Sequence, residues 1–292
     1  MDIRPDDALG PDRFADDGDV RLCFQTVGDP ADPTVLLVGG LAASMDWWPA
    51  DLCAAIASLG FSVVRYDHRD TGRSTTYPPG KPPYTGADLA QDALRVLDSL
   101  DVRAAHLMGV SMGGALAQRL AVEHPRRVAT LTLIATTRAV ASPATPLPPA
   151  SPALDGLWTR PGPDPADRSA VVEALVAEDR ALSRERGFVE ARTRAVATRA
   201  VGRTLDPAAA GNHLLADDGP PVRGSLADVT APRLVVHGSD DPLFPGHGAA
   251  LAAEISQTRL LELDGMGHQA PPPACWPALL PALRAHLAGR EA

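Results

Sequence analysis

Cysteine, aromatic residues, positive charge and long apolar runs are all scarce in this 292-residue chain, and each scarcity removes a class of protein. The three cysteines, Cys23, Cys53 and Cys275, are widely spaced. They form neither a disulfide framework nor a zinc pattern and read as buried free thiols of a reducing compartment, so a cytoplasmic protein is expected. Aromatics make up 4% of the chain and apolar residues 45%. A full core can form, but it must lean on Ala, Leu and Val. The formal net charge of −9 leaves no electrostatic footprint for nucleic acid or an anionic membrane, so neither is expected as a partner. No window approaches the roughly 18 apolar residues of a transmembrane helix. The N-terminal "MDIRPDDALGPDRFADDGD" lacks an apolar segment, is no secretory signal, and reads as a loose leader.

What is present is an alternation. Short β-rich runs occur at 20–27, 34–40, 62–69, 104–111, 131–136, 233–238 and 259–265. Helical spacing occupies 49–59, 87–99 and 113–125, the last stopped by Pro125. The pattern predicts an α/β fold: a mostly parallel central sheet flanked by helices on both faces. "TVLLV" is apolar throughout, as a strand buried on both sides must be. The alternation breaks after "LIATTRAV". Prolines crowd 141–166, helical stretches follow at 167–186, 188–202 and 207–216, and "GPPVRGSLADVTAP" leads back to a strand. The expected organisation is a core of 1–137 and 229–292 with a helical cap, 138–228, inserted over the C-terminal edge of the sheet. Ligands bind at that edge in open α/β sheets.

The stretch "LMGVSMGG" (107–114) has two readings. A dinucleotide loop requires G-x-G-x-x-G after the first strand, but the second glycine is replaced by Ser111 and the strand comes late. A P-loop fails for want of Gly-Lys-Ser/Thr. The other reading is Gly109-Val110-Ser111-Met112-Gly113, a tight strand-to-helix turn exposing a serine at a helix N-terminus. In a chain with 25 glycines the pattern alone is weak, and a structural serine in an ordinary turn is excluded only by partners.

Serine is a poor nucleophile without a base. "RLVVHGSDDPLFP" sets Asp240 and Asp241 just after one strand, and "RLLELDGMGHQAPP" sets His268 just after another. Parallel strands end on the same side, so all three side chains would meet at one edge. Of eight histidines, His106 and His237 fall within apolar strands and read as core, and His124 reads as surface. His68 sits in a loop rich in Arg and Asp, His213 in the insertion, His247 after the acid loop and His286 on the last helix; only His268 combines a strand-end loop, flanking small residues and the Ser–acid–base order. Asp241 fits a Gly238-x-x-Asp241-x-x-x-Pro245 loop, with Asp240 the adjacent alternative; Asp264 belongs to the turn delivering His268. The oxyanion donors are expected at the N–H groups of Met112 and Gly40, with Leu41 next in line.

These motifs resemble those of the α/β-hydrolase-fold enzymes, from about residue 20 to 288. "LLVGGLAASMDWW", "VVRYDHRDTGRST", "LMGVSMGGALAQRLA", "LVVHGSDDPLFP" and "LDGMGH" carry the resemblance. Local strings are especially similar to the aclacinomycin methylesterases of anthracycline biosynthesis, which remove a methyl ester from a polycyclic polyketide. The resemblance implies an esterase with Ser111, His268 and Asp241 as its triad, needing no metal or organic cofactor, and acting on a small-molecule ester. Substrate-lining candidates are Leu41, Trp47, Val110, Trp158 and Phe244; of the pair Trp47 and Trp48, one is expected to line the pocket and the other to pack beneath it. Three positions depart from the family pattern. Asp70 stands where the family has the first glycine of Asp-x-Arg-Gly-x-Gly-x-Ser, Val38 replaces a His before Gly39, and Val110 replaces a frequent His before the nucleophile. Asp67, Arg69 and Asp70 are expected to serve ion-pair and turn roles. A cofactor-free perhydrolase (haloperoxidase-type) is the rival within the fold, separable by incubation with acetate, peroxide and bromide. A catalytically repurposed binding protein is the rival outside enzymology. Oligomeric state is left open.

Overall fold

A computed structural model describes residues 9–140, 146–159, 161–255 and 257–289. Among these, eight strands form one sheet. In chain order the elements are β1 (Arg13–Asp17), β2 (Val20–Val27), β3 (Thr34–Val38), α1 (Ala50–Ala57), β4 (Ser62–Tyr66), α2 (Gly86–Asp98), β5 (Ala105–Val110), α3 (Met112–Glu123), β6 (Val128–Ile134), α4 (Arg168–Gly187), α5 (Glu190–Arg203), β7 (Arg233–Gly238), α6 (His247–Glu254), β8 (Thr258–Leu263) and α7 (Trp276–Leu287). The spatial order is β1-β2-β4-β3-β5-β6-β7-β8. From β4 to β8 every pairing is parallel, and β1 and β2 join antiparallel at one edge.

The pleat of β3 shows why the sheet must be covered twice. Leu36 and Val38 enter one apolar cluster with α2 and α3, while Val35 and Leu37 enter the other with α1 and α7. All four are fully buried. The predicted α/β architecture is therefore observed, built on aliphatic side chains as the composition requires.

Two expectations are corrected. The leader was expected to be loose, yet residues 13–17 form β1, paired with β2 through a turn where Gly18 takes φ 58°. Ala15 is buried there, and the Arg21 guanidinium lies 3.9 Å from the Phe14 ring centroid. A five-residue edge strand half composed of charges carries too little period-two signal to be read in advance. Residues 1–8 of that leader, and 141–145 of the proline-rich stretch, lie outside the described residues. The helix expected at 207–216 is instead a short 3-10 turn, Ala209–Leu214.

Between β6 and β7 the chain leaves the sheet and forms α4, α5 and several 3-10 turns. α4 is broken near its end, where Arg184 adopts φ 58°, ψ 170°. Among the described residues no helix is long and apolar enough to cross a membrane.

Candidate active site

β5 delivers Ser111 to the sheet's C-terminal edge in a strained conformation, φ 53°, ψ −120°, immediately before α3. L-residues other than Gly rarely adopt positive φ, and surrounding structure must hold such a turn in place. The flanking glycines show how. A Cβ on Gly109 would lie 2.3 Å from the Gly113 carbonyl oxygen, and one on Gly113 would lie 2.2 Å from that of Val38. Only hydrogen fits at either position, so the turn packs directly against the end of β3. The Ser111 N–H donates to the Ile134 carbonyl at 3.0 Å, anchoring the turn to β6.

The loops after β7 and β8 bring Asp241 and His268 to the same edge. His268 Nε2 lies 2.9 Å from Ser111 Oγ, and His268 Nδ1 lies 3.0 Å from Asp241 Oδ2. An ionised carboxylate only accepts, so the Nδ1 proton faces Asp241 and the Nε2 lone pair is left to accept from the serine hydroxyl. Asp241 is itself oriented: its Oδ1 accepts the N–H groups of Leu243 and Phe244, both at 2.9 Å. Burial pushes the Asp241 carboxyl up. The His268 hydrogen bond and charge, aided by the Phe244 N–H and His237, outweigh that and hold it below its ordinary value. Asp240 does not reach His268; it faces its neighbour Ser239 and Arg186, while Asp264 is exposed and also pairs with Arg186. His237 and His106, read as core, are engaged elsewhere. The His237 Nε2–H donates to the Phe244 carbonyl at 2.8 Å, and His106 faces the Thr130 hydroxyl at 3.0 Å.

Gly40 lies against the nucleophile, its Cβ position 3.6 Å from Ser111 Cβ. Met112 opens α3, whose first N–H groups have no intrahelical partner and point toward the edge. Val110 is buried beside Ser111, and the Phe244 ring meets His268 edge-on at 5.1 Å. Leu41 is exposed. Trp48 is fully buried in the core, while Trp47 lines a small cleft of about 50 Å³ with Val189, Arg192, Thr193, Gln269 and Pro271. Ser111 is not among that cleft's lining residues. Trp158 is half-exposed, and its indole N–H donates to Glu178 on α4. Among the described residues no cluster of His, Cys, Asp and Glu is arranged to hold a metal ion.

The loop after β4 has the ion-pair and turn character expected of it, but it also binds the β6–β7 segment, which was not foreseen. Arg69 makes a bidentate pair with Asp92 on α2, at 2.6 and 2.7 Å. Asp67 accepts the Met45 and Arg73 N–H groups and the Arg203 guanidinium of α5. Asp70, in the family's glycine position, adopts a glycine-like φ of 64°. Its carboxylate accepts from the Tyr77 N–H, the Tyr84 hydroxyl and the Asn212 amide. His213 and His68 reach the loop after β3: the His68 Nε2–H donates to the Gly39 carbonyl at 3.0 Å, and the Ala42 N–H donates to His213 Nδ1 at 3.0 Å. The sequence signal was slight, two adjacent polar residues between "AAG" and "LL" in a segment otherwise read as cap.

The family description "alpha/beta hydrolase fold" matches residues 33–271. Rhodomycin D methylesterase DauP from Streptomyces sp. (strain C5) is 34% identical over 281 residues, covering 89% of this chain and 93% of that protein. Rhodomycin D methylesterase DnrP from Streptomyces peucetius matches with the same identity and coverage. Among solved structures, the enol-lactonase from Burkholderia xenovorans LB400 superposes with a TM-score of 0.68 at 25% identity, covering 94% of this chain and 100% of that one. The similarity to methylesterases read from local strings thus extends over nearly the whole length. The chain belongs to the α/β-hydrolase-fold family, among the carboxylic ester hydrolases of that fold.

Proposed function

We propose that this protein hydrolyses a methyl ester on a hydrophobic, polycyclic, polyketide-like molecule through a serine acyl-enzyme. The observation that carries the mechanism is the continuous path from Asp241 Oδ2 through the His268 ring to Ser111 Oγ, with both contacts at or under 3.0 Å. Ser111 Oγ attacks the ester carbonyl while His268 Nε2 takes its proton. The negative oxygen of the tetrahedral intermediate is held by the N–H groups of Met112 and Gly40, each donor contributing about 3 kcal/mol. His268 then passes the proton to the departing methoxide, releasing methanol. Water, deprotonated by the same ring, attacks the acyl carbon, and the free acid leaves as Ser111 regains its proton. Asp241 keeps the imidazole in the required tautomer and stabilises its charged form.

The two relatives named for rhodomycin D support the substrate class, and so do the apolar Val110 beside the nucleophile and the Phe244 ring against His268. Residues 138–228 act as the cap, supplying the upper wall of the site. The test is turnover of a panel of methyl esters, simple and polycyclic, by wild type and Ser111→Ala, alongside labelling with a fluorophosphonate probe. Wild type should be labelled and should prefer the polycyclic esters; Ser111→Ala should do neither. Ester turnover that survives the substitution rejects the mechanism.

A further inference from the structure

The loop that carries Gly40 cannot hold its shape alone. Ala42 sits at φ 59°, a left-handed conformation that a residue with a Cβ adopts only when its surroundings impose it. The turn is closed locally by the Ala43 N–H donating to the Gly40 carbonyl at 3.2 Å, and a second bond holds it from 171 residues away: the Ala42 N–H donates to His213 Nδ1. His213 is buried, and its other nitrogen is committed, the Nε2–H donating to the Arg69 carbonyl at 2.8 Å. The neighbouring Asn212 is wholly buried, donates to Asp70 and Pro78, and accepts the Gly80 N–H. The imidazole is thus a strut between two backbone segments of the core. It offers an acceptor to one and a donor to the other, which only the neutral ring with its proton on Nε2 can do.

The same loop is gripped again a few residues on. Asp46, fully buried as a side chain, accepts from Arg199 and Arg203 of α5. The Met45 N–H donates to Asp67, which the same Arg203 holds. Both grips come from the segment between β6 and β7, and none of these side chains reaches Ser111.

We infer that His213 is a positioning residue for the oxyanion loop, so that docking of the inserted segment on the core sets the donor geometry at Gly40. This rests on the proposed serine-hydrolase reading and adds a role for the segment beyond that of a substrate wall. Leucine at position 213 fills the space but removes the acceptor that ties the Ala42 N–H to the inserted segment, which releases the loop. Glutamine carries an acceptor and a donor at its amide and can span both partners.

The experiment measures kcat and KM for an ester that the wild type turns over, together with affinity for phenylboronic acid. That probe forms a tetrahedral anion on the nucleophilic serine, with an oxygen placed as in the intermediate. His213→Leu should lose about 100-fold in kcat with KM nearly unchanged, the scale of a misplaced catalytic group, and should lose boronic acid affinity in step. His213→Gln should restore most of both. If His213→Leu does not fold, as judged by circular dichroism and thermal melting, His213→Ala is read in its place, with the same loss expected. A folded Leu or Ala variant with wild-type kcat, a loss confined to KM, or a Gln variant as impaired as the Leu variant overturns the inference. A wild-type protein that neither turns over esters nor binds the boronic acid is a different outcome. It rejects the hydrolase reading itself, and this inference with it.

Discussion

At the scale of single residues, the meeting of Ser111, His268 and Asp241 at one edge was legible because each position answers to a local rule. Ser111 lies between two glycines that cannot tolerate a Cβ, and His268 and Asp241 lie one loop beyond a strand. Sequence favoured Asp241 over the adjacent Asp240 on its loop pattern alone, without a physical reason for the preference. The two carboxyls are one residue apart, and the choice is made by the Leu243 and Phe244 N–H groups that turn Asp241 inward. The acid's role is to select a tautomer, so Asp241→Asn should leave the fold intact and lower kcat by about 10⁴-fold. Asp240→Asn, whose parent carboxylate faces Ser239 and Arg186, should be close to wild type. Steady-state kinetics on the two purified variants checks both. Equal losses would mean that the acid has been misassigned.

At the scale of elements, the strands of the parallel sheet were readable from apolar runs, while β1 and the docking of α5 were not. β1 pairs only along one edge and reads Arg13-Phe14-Ala15-Asp16-Asp17, with its two apolar residues adjacent, so it carries no period-two alternation. α5 buries only a narrow stripe of small side chains, Thr193, Ala197, Ala200 and Val201. Its adhesion depends on Arg199 and Arg203 meeting Asp46 and Asp67, carboxylates contributed from two separate loops. Contacts between residues more than a hundred positions apart leave no periodic trace. Their energetic weight is nevertheless large. Asp46 and Asp67 are fully buried as side chains, and removing one partner of a buried pair leaves an uncompensated charge. Arg203→Met should therefore cost about 3–5 kcal/mol, seen as a lower midpoint in urea unfolding. A midpoint within error of wild type would mean that the remaining pairs of α5, Arg199 with Asp46 and Arg192 with Asp51, hold the helix.

At the scale of the whole molecule, several buried imidazoles define an acid limit. Burial, reinforced by His213, pushes His68 down to about 3, with the bond to the Gly39 carbonyl opposing. Burial, with His106 and Arg259 nearby, pushes His286 down to about 4. His106, His213 and His237 are lowered too, each chiefly by burial. An unfolded imidazole takes up its proton near pH 6.5. Below that pH the unfolded chain binds protons that the folded one refuses, so stability falls as pH drops from about 6.5 toward 4. His286→Leu, on α7 at the far side from the nucleophile, removes one such proton. Its urea midpoint should decline less between pH 7 and pH 5 than that of wild type; parallel declines would assign the acid sensitivity to other groups.

One feature of the loop after β4 reaches beyond any single measurement. Asp70 occupies a left-handed position that glycine would take without strain, and its carboxylate is what Asn212, 142 residues later, is built to meet. Reversion to glycine would relax the turn and leave the buried amide without one of its partners. Change at 212 would leave a strained aspartate with one contact fewer to justify it. The two positions are therefore coupled across the junction of core and insertion, so that exchanging the inserted segment alone would separate a strained aspartate from the amide that meets it.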